Sequence, residues 1–213
     1  MARPHRLRIA GLSHHVTQRG NNRMDIFLSE EDREVFYALL CDAAQRNGAD
    51  VHAYVFMRNH VHLLMTPHTK TAVEKTMQLI GTRYARHFNR RHRRTGSPFD
   101  GRYRPVPVDS DFYWFSCMRY IELNPVRAGI VSRPEAYYWS SHGANAFGAP
   151  DRLVTPHPYY LRLHDAAEDR QRCWREMCAR GIPAAELEHL RACVNRDRQS
   201  LGPIVLADDQ EQI

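Results

Sequence analysis

The chain has 213 residues, 43% of them hydrophobic, and a formal net charge of +6. That length is ample for a core, and no run of the ~18 apolar residues needed to span a membrane occurs. The opening Met-Ala-Arg-Pro-His-Arg-Leu-Arg lacks the apolar stretch of a secretory signal. Five cysteines (Cys41, Cys117, Cys173, Cys178, Cys193), an odd number without C-x-x-C spacing, argue against a zinc ribbon or a disulfide scaffold. The expectation is a reducing cytoplasm.

The charge is unevenly spread. Residues 1–141 carry 21 cationic against 13 acidic side chains, whereas 142–213 carry 9 against 11. Lys70 and Lys75 are the only lysines; the other 28 cations are arginines. Guanidinium forks suit phosphates and stack on bases, so the first two-thirds of the chain points to nucleic acid.

In chain order, Leu12 to Gln18 reads as a strand ended by the turn-rich Arg19-Gly20-Asn21-Asn22. Ser29 with Asp32 three residues on marks a helix start, and Val35, Phe36, Leu39 and Leu40 follow at helical spacing until Asn47-Gly48. Val51 to Met57 and His60 to Thr66 are strands about a tight turn at Arg58-Asn59. A second helix is predicted from about Ala72 to Arg91. Phe99 to Val108 is extended, with Pro105 and Pro107 confining its end to a sheet edge. Asp109 or Ser110 caps a third helix that runs to about Leu123, and Pro125 closes it.

The order strand, helix, strand, strand, helix, strand is the α+β, ferredoxin-like arrangement: an antiparallel sheet with helices on one face, followed by a further helix. Tyr137 to Ser141 and the stretch 143–150 read as a surface-wrapping connection. Residues 166–180 and 184–195 read as two short helices of an appendage. The expected division is a domain over 1–145 and a C-terminal helical extension over 146–213.

Two segments carry chemistry. In His60-Val61-His62 both imidazoles leave the same side of a strand, ~7 Å apart along it, as a shared cation needs. Neutral imidazoles suit Mn²⁺ or Zn²⁺ better than Mg²⁺, although substrate phosphate and water shift that preference. His14 and His15 are adjacent, face opposite ways and make poor joint ligands. In Tyr120-Ile121-Glu122-Leu123-Asn124, helical spacing puts Tyr120 and Asn124 on one face. A phenol needs a neighbouring cation to act as a nucleophile near neutral pH, and the Asn124 amide oxygen offers a third ligand. Glu122 reads as a solvated helix charge and Cys117 as a small buried residue. Together the segments point to metal-assisted attack of a tyrosine on a phosphodiester.

Residues 83–94 hold six arginines and no acid. Arg83, Arg86, Arg90 and Arg94 recur at helical spacing, and Arg102 and Arg104 extend the stripe around Tyr103. Arginines beside aromatics suit single-stranded nucleic acid. In the first loop, Arg19, Asn21 and Arg23 offer donors for base edges.

Three runs, His15 to Arg23, Met57 to Leu64 and Arg119 to Gly129, resemble in order and separation the single-tyrosine HUH nucleases, and more closely the REP-associated tyrosine transposases. The resemblance spans about residues 5–145. Pro156 to Tyr160 and Leu201-Gly202-Pro203 loosely resemble the family's C-terminal extension. It implies Tyr120 as nucleophile, His60 and His62 as ligands of a divalent metal (Mg or Mn), and Asn124 where relatives often carry glutamine. It implies cutting of single-stranded DNA near palindromic hairpins through a 5′-phosphotyrosine, rejoining by the reverse attack, and a monomer with no small-molecule cofactor and no membrane partner. The alternative is a non-catalytic single-stranded nucleic-acid-binding module on the same fold. A zinc hydrolase would want a further ligand and commonly a larger barrel.

Overall fold

The computed structural model describes residues 9–195. The Leu201-Gly202-Pro203 run and the rest of the extension beyond 195 lie outside the described residues. Four strands, β1 (Ser13–Arg19), β2 (Ala49–Met57), β3 (His60–Pro67) and β4 (Arg104–Val108), form one antiparallel sheet in the order β2-β3-β1-β4. Helices α1 (Glu30–Asn47) and α2 (Ala72–His92) connect them in the expected β-α-β-β-α-β sequence. Then come α3 (Asp111–Glu122), the single turn α4 (Asn124–Arg127), α5 (His142–Phe147), the single turn α6 (Pro158–Leu161), α7 (Ala167–Ala179) and α8 (Ala184–Asn195).

Local chemistry sets the boundaries. Ser29 and Asp32 form a reciprocal capping box at the start of α1, and Gly48, at φ 67°, ends it in the left-handed region. Ser110 caps α3 through the Tyr113 amide. The fourth extended segment is shorter than predicted. Phe99 makes an isolated antiparallel bridge to Gly20, but the Gly101 amide bonds back to the Phe99 carbonyl and Gly101 takes φ 62°, so the chain turns there and the continuous β4 ladder begins at Arg104. The helical path breaks at Leu123 and restarts as α4, with Pro125 in its first turn, where no amide proton is required.

Alternation along the strands sorts the sheet into two faces. Val16, Val61, Leu63 and Met65 face α1 and α2 with Phe36, Leu40, Ile80 and Tyr84. Ala53, Val55, Leu64, Val106 and Val108 face α3. The same apolar cluster takes in Trp174 and Cys178 of α7 and Leu190 and Cys193 of α8, so α3 is packed between the sheet and the extension.

The connection after α4 differs from expectation. It does not merely wrap the surface: Ser141, His142, Asn145 and Ala146 are buried, and α5 straddles residue 145. The segment also runs along the outer edge of β2. The Phe56 amide donates to the Trp139 carbonyl, Ser141 to Tyr54 and Thr155 to Val51. A directional chain ties this segment to α3. Trp114 Nε1–H donates to Ser13 Oγ (3.2 Å), whose hydroxyl meets Thr66 Oγ1 (2.7 Å). Thr66 in turn meets His52 Nε2 (2.8 Å), and His52 Nδ1–H donates to the Thr155 carbonyl (2.6 Å). Because a carbonyl only accepts, the direction of every link is fixed.

Candidate active site

Strand register assembles one wall of the site. Thr17 lies opposite His62 and Arg19 opposite His60 on β1 and β3, while Arg104 of β4 lies opposite Thr17. Cross-strand partners share a face, so His15, Thr17, Arg19, His60, His62 and Arg104 all belong to the α3 side. Tyr120 of α3 covers this wall. Its ring centroid is 5.6 Å from that of His62, edge-on, and 5.8 Å from that of His15. A single pocket is lined by Arg19, His60, His62, Tyr120, Asn124, Arg127, Ala128 and Arg191. The predicted Tyr120, His60, His62 and Asn124 therefore meet, although Asn124 arrives on α4 rather than along α3.

Burial keeps the imidazoles neutral. The pKa of His60 falls to about 4, from burial and then the Arg19 charge. That of His62 falls well below its usual value through burial, then His15, His60 and the arginines. Burial and Arg127 lower His15 to about 3. Neutral rings with lone pairs are what a divalent cation requires. His60 sets Nδ1 against Asn59 Oδ1 at 2.6 Å, which leaves Nε2 as a lone pair.

His62 is the subtler case. Its Nδ1 lies 2.8 Å from His15 Nε2 and 3.3 Å from Thr17 Oγ1. With the Nδ1 proton given to His15, His62 Nε2 is a ligand and the His15 proton sits on Nδ1. That atom is buried without a hydrogen-bond partner, at a cost of ~1–3 kcal/mol. The opposite tautomer leaves the same atom as an unpaired acceptor and puts a proton on His62 Nε2, which blocks His62 as a ligand. The donor set fits a divalent cation, with His15 as the group that decides whether His62 presents a lone pair.

Tyr120 is held from behind by Arg127. The guanidinium lies 4.0 Å from the ring centroid and donates from Nη1 to the Tyr120 carbonyl at 2.8 Å.

Glu122, one step round the helix, is not a solvated charge. It is fully buried, and its oxygens accept from Ser141 Oγ (2.7 Å), Asn145 Nδ2 (2.7 Å), His142 Nδ1 (2.9 Å) and Trp174 Nε1 (2.9 Å). Burial alone would raise its pKa; the bonds from His142, Asn145 and Ser141 hold it below the usual carboxylate value. Ligand atoms of Glu122, His142 and Cys178 lie within 4.8 Å of one another. The carboxylate is already saturated by four donors, and burial pushes the Cys178 thiol far up. This cluster braces α3 against α5 and α7 and does not suit a cation.

The arginine stripe sits elsewhere. Helix α2 packs with α1 on the sheet face opposite Tyr120. Arg83 pairs with Asp42 at 3.0 Å, Arg94 lies over the Phe88 ring, and Arg86 and Arg90 are at least partly solvated. Arg102 and Arg104 are exposed at the start of β4. Asn21 and Arg23 occupy a loop stitched to the Arg58-Asn59 turn that precedes His60. Asn59 Nδ2 donates to the Arg23 carbonyl at 3.0 Å, and Arg58 pairs with Asp25 at 2.7 Å. Gly20 is required there, since a Cβ would fall 2.0 Å from the Met24 carbonyl oxygen.

The profile of the family described as IS200-like transposases matches residues 9–124, more than half of the chain. The chain belongs to the IS200-like transposases. As a member it is a DNA transposase, a DNA-processing enzyme. Among solved structures, a REP-associated tyrosine transposase bound to a REP hairpin is similar in fold. It is 15% identical, with a TM-score of 0.55, covering 74% of this transposase and 93% of that chain. A putative transposase from Deinococcus radiodurans is 21% identical over 53% of this chain and 90% of its own, with a TM-score of 0.40. A search of curated proteins finds no significant match. No helix among the described residues is long and apolar enough to cross a membrane.

Proposed function

We propose that this transposase is a metal-dependent single-stranded DNA endonuclease and strand-transferase that acts at hairpin-forming palindromic repeats through a covalent 5′-phosphotyrosine. The observation that carries the reading is Tyr120 packed edge-on at 5.6 Å against His62, in a pocket shared with His60 and Asn124. His60, His62 and Asn124 would hold a divalent cation, Mn or Mg, which polarises the scissile phosphate when bound.

The chain's own groups do the rest. Tyr120 attacks phosphorus, the bond to the 3′-oxygen breaks, the phenol gives up its proton and the leaving oxygen gains one. Arg127 stabilises the charge that develops on the phenolic oxygen. The phosphotyrosine keeps the energy of the broken bond, so attack by a 3′-hydroxyl restores the strand. A single strand is needed because duplex DNA does not fit a recessed site. The hairpin is supported by the fold similarity to a relative bound to one. We place catalysis in residues 1–145, supported by the extension 146–213, in a cytoplasmic monomer. DNA contacts are assigned to Arg19, Asn21 and Arg23 near the site, to Arg102 and Arg104, and to Arg83, Arg86, Arg90 and Arg94 on the far face.

The test is a labelled hairpin with a single-stranded flank, incubated with Mn²⁺ or Mg²⁺ and run on a denaturing gel. Wild type forms a covalent adduct. Tyr120→Phe binds the DNA and forms none, and His60→Ala loses cleavage while keeping most of its affinity. An adduct that survives Tyr120→Phe moves the nucleophile elsewhere, and no adduct from wild type leaves the non-catalytic binding module.

A further inference from the structure

Three guanidinium groups and no carboxylate line the pocket. Arg19 comes from β1, Arg127 from α4 and Arg191 from α8. Arg191 lies well beyond the matched residues 9–124, in an extension whose overall charge is slightly negative. Its position is nevertheless built. Arg119 of α3 is 12% exposed at its side chain and donates to the Gly181 carbonyl and to Glu186, both at 2.9 Å, which fixes the start of α8. Leu190 and Cys193, on either side of Arg191 in sequence, are buried in the α3 cluster, and His189 packs on Tyr113 at 5.1 Å. The helix therefore presents Arg191 to the pocket from a fixed base.

No carboxylate offsets these three cations in the pocket lining, so the recess favours an anionic ligand. Among the described residues Arg191 has no acidic partner. Burial lowers the pKa of Arg127; Tyr120 opposes that fall and the Arg191 charge adds to it. Like charges held around one recess attract a polyanion's phosphates.

We propose that Arg191, together with Arg127 and Arg19, binds a backbone phosphate of the single strand entering the pocket, so that the C-terminal extension supplies part of the DNA cradle. The proposal rests on the assignment of this pocket to DNA and names what the extension contributes.

The experiment measures binding by fluorescence anisotropy across a salt series in EDTA, using oligothymidylate and, separately, a blunt-ended DNA hairpin. Arg191→Gln should flatten the slope of log K against log[salt] by about 0.7 for the single strand and leave the blunt-hairpin slope unchanged. Arg191→Lys, which keeps the charge, should restore the wild-type slope. Arg191 is exposed, so neither change removes core packing, and equal melting temperatures confirm it. An unchanged single-strand slope overturns the proposal. So does an equal flattening on the blunt hairpin, which would place Arg191 on duplex, or a lysine variant no better than glutamine. The assay contains no divalent cation and forms no adduct, so it can fail while tyrosine chemistry stands, and the reverse.

Discussion

His15 and Glu122 show what single residues conceal in a sequence. The pairing of His60 with His62 follows from the two-residue period of a strand and needs no tertiary knowledge. The approach of His15 to His62 depends on the register between β1 and β3, which nothing local specifies. Its neighbour His14 bonds instead to the Leu12 carbonyl at 2.8 Å on the other side of the strand. Glu122 reads as a surface charge because flanking residues cannot reveal that α3 is packed between the sheet and the extension. The apolar residues around that helix, including Trp114, Cys117, Met118 and Ile121, are the available signal. His15→Phe keeps a ring against Tyr120 but removes the nearer acceptor for His62 Nδ1, leaving only Thr17 Oγ1 at 3.3 Å. Mn²⁺ affinity, followed by electron paramagnetic resonance, should fall about 10–100-fold with little change in melting temperature. Unaltered Mn²⁺ affinity would remove His15 from the site's machinery.

At the scale of elements, the helix starts and stops are largely legible, since capping side chains and glycines act within a few residues. How the elements are tied together is not. Asp32 closes the capping box that its spacing from Ser29 predicts. Its fully buried carboxylate also accepts from His92 at 3.0 Å and approaches Arg91 at 3.8 Å, so the first turn of α1 anchors the last turn of α2. Burial would raise its pKa, but His92 and the Leu28 and Ser29 amides outweigh it and lower it. Asp32→Ala removes a cap and leaves His92 without its carboxylate acceptor, whereas Arg91 keeps Glu31 at 2.5 Å. A drop in stability of ~2–3 kcal/mol is expected from the lost cap and the lost hydrogen bonds to the carboxylate, read from urea unfolding. A drop below ~1 kcal/mol would reduce Asp32 to an ordinary cap.

For the molecule as a whole, the arrangement of charge matters more than its amount. The helical spacing of Arg83, Arg86, Arg90 and Arg94 marks a solvated stripe, but periodicity carries no information about which sheet face a helix covers. That face is the one remote from Tyr120, so the DNA contacts proposed for these side chains would bear on affinity and not on the reacting phosphate. Replacing Arg86 and Arg90 together with glutamine should make hairpin binding weaker and less salt-sensitive, the slope flattening by ~0.9 for each duplex phosphate no longer neutralised. The rate of adduct formation at saturating DNA should stay unchanged. A slower rate at saturation would place the stripe in communication with the pocket.

The segment laid along β2 has a consequence for crowding. Pro105 and Pro107 lack amide protons on the β4 border, and the Trp139, Ser141 and Thr155 main chain occupies the β2 border. Neither side offers a run of vacant donors on which a second copy could zip. A sheet covered at one border and short of amide protons at the other is thereby kept from lateral growth into filaments.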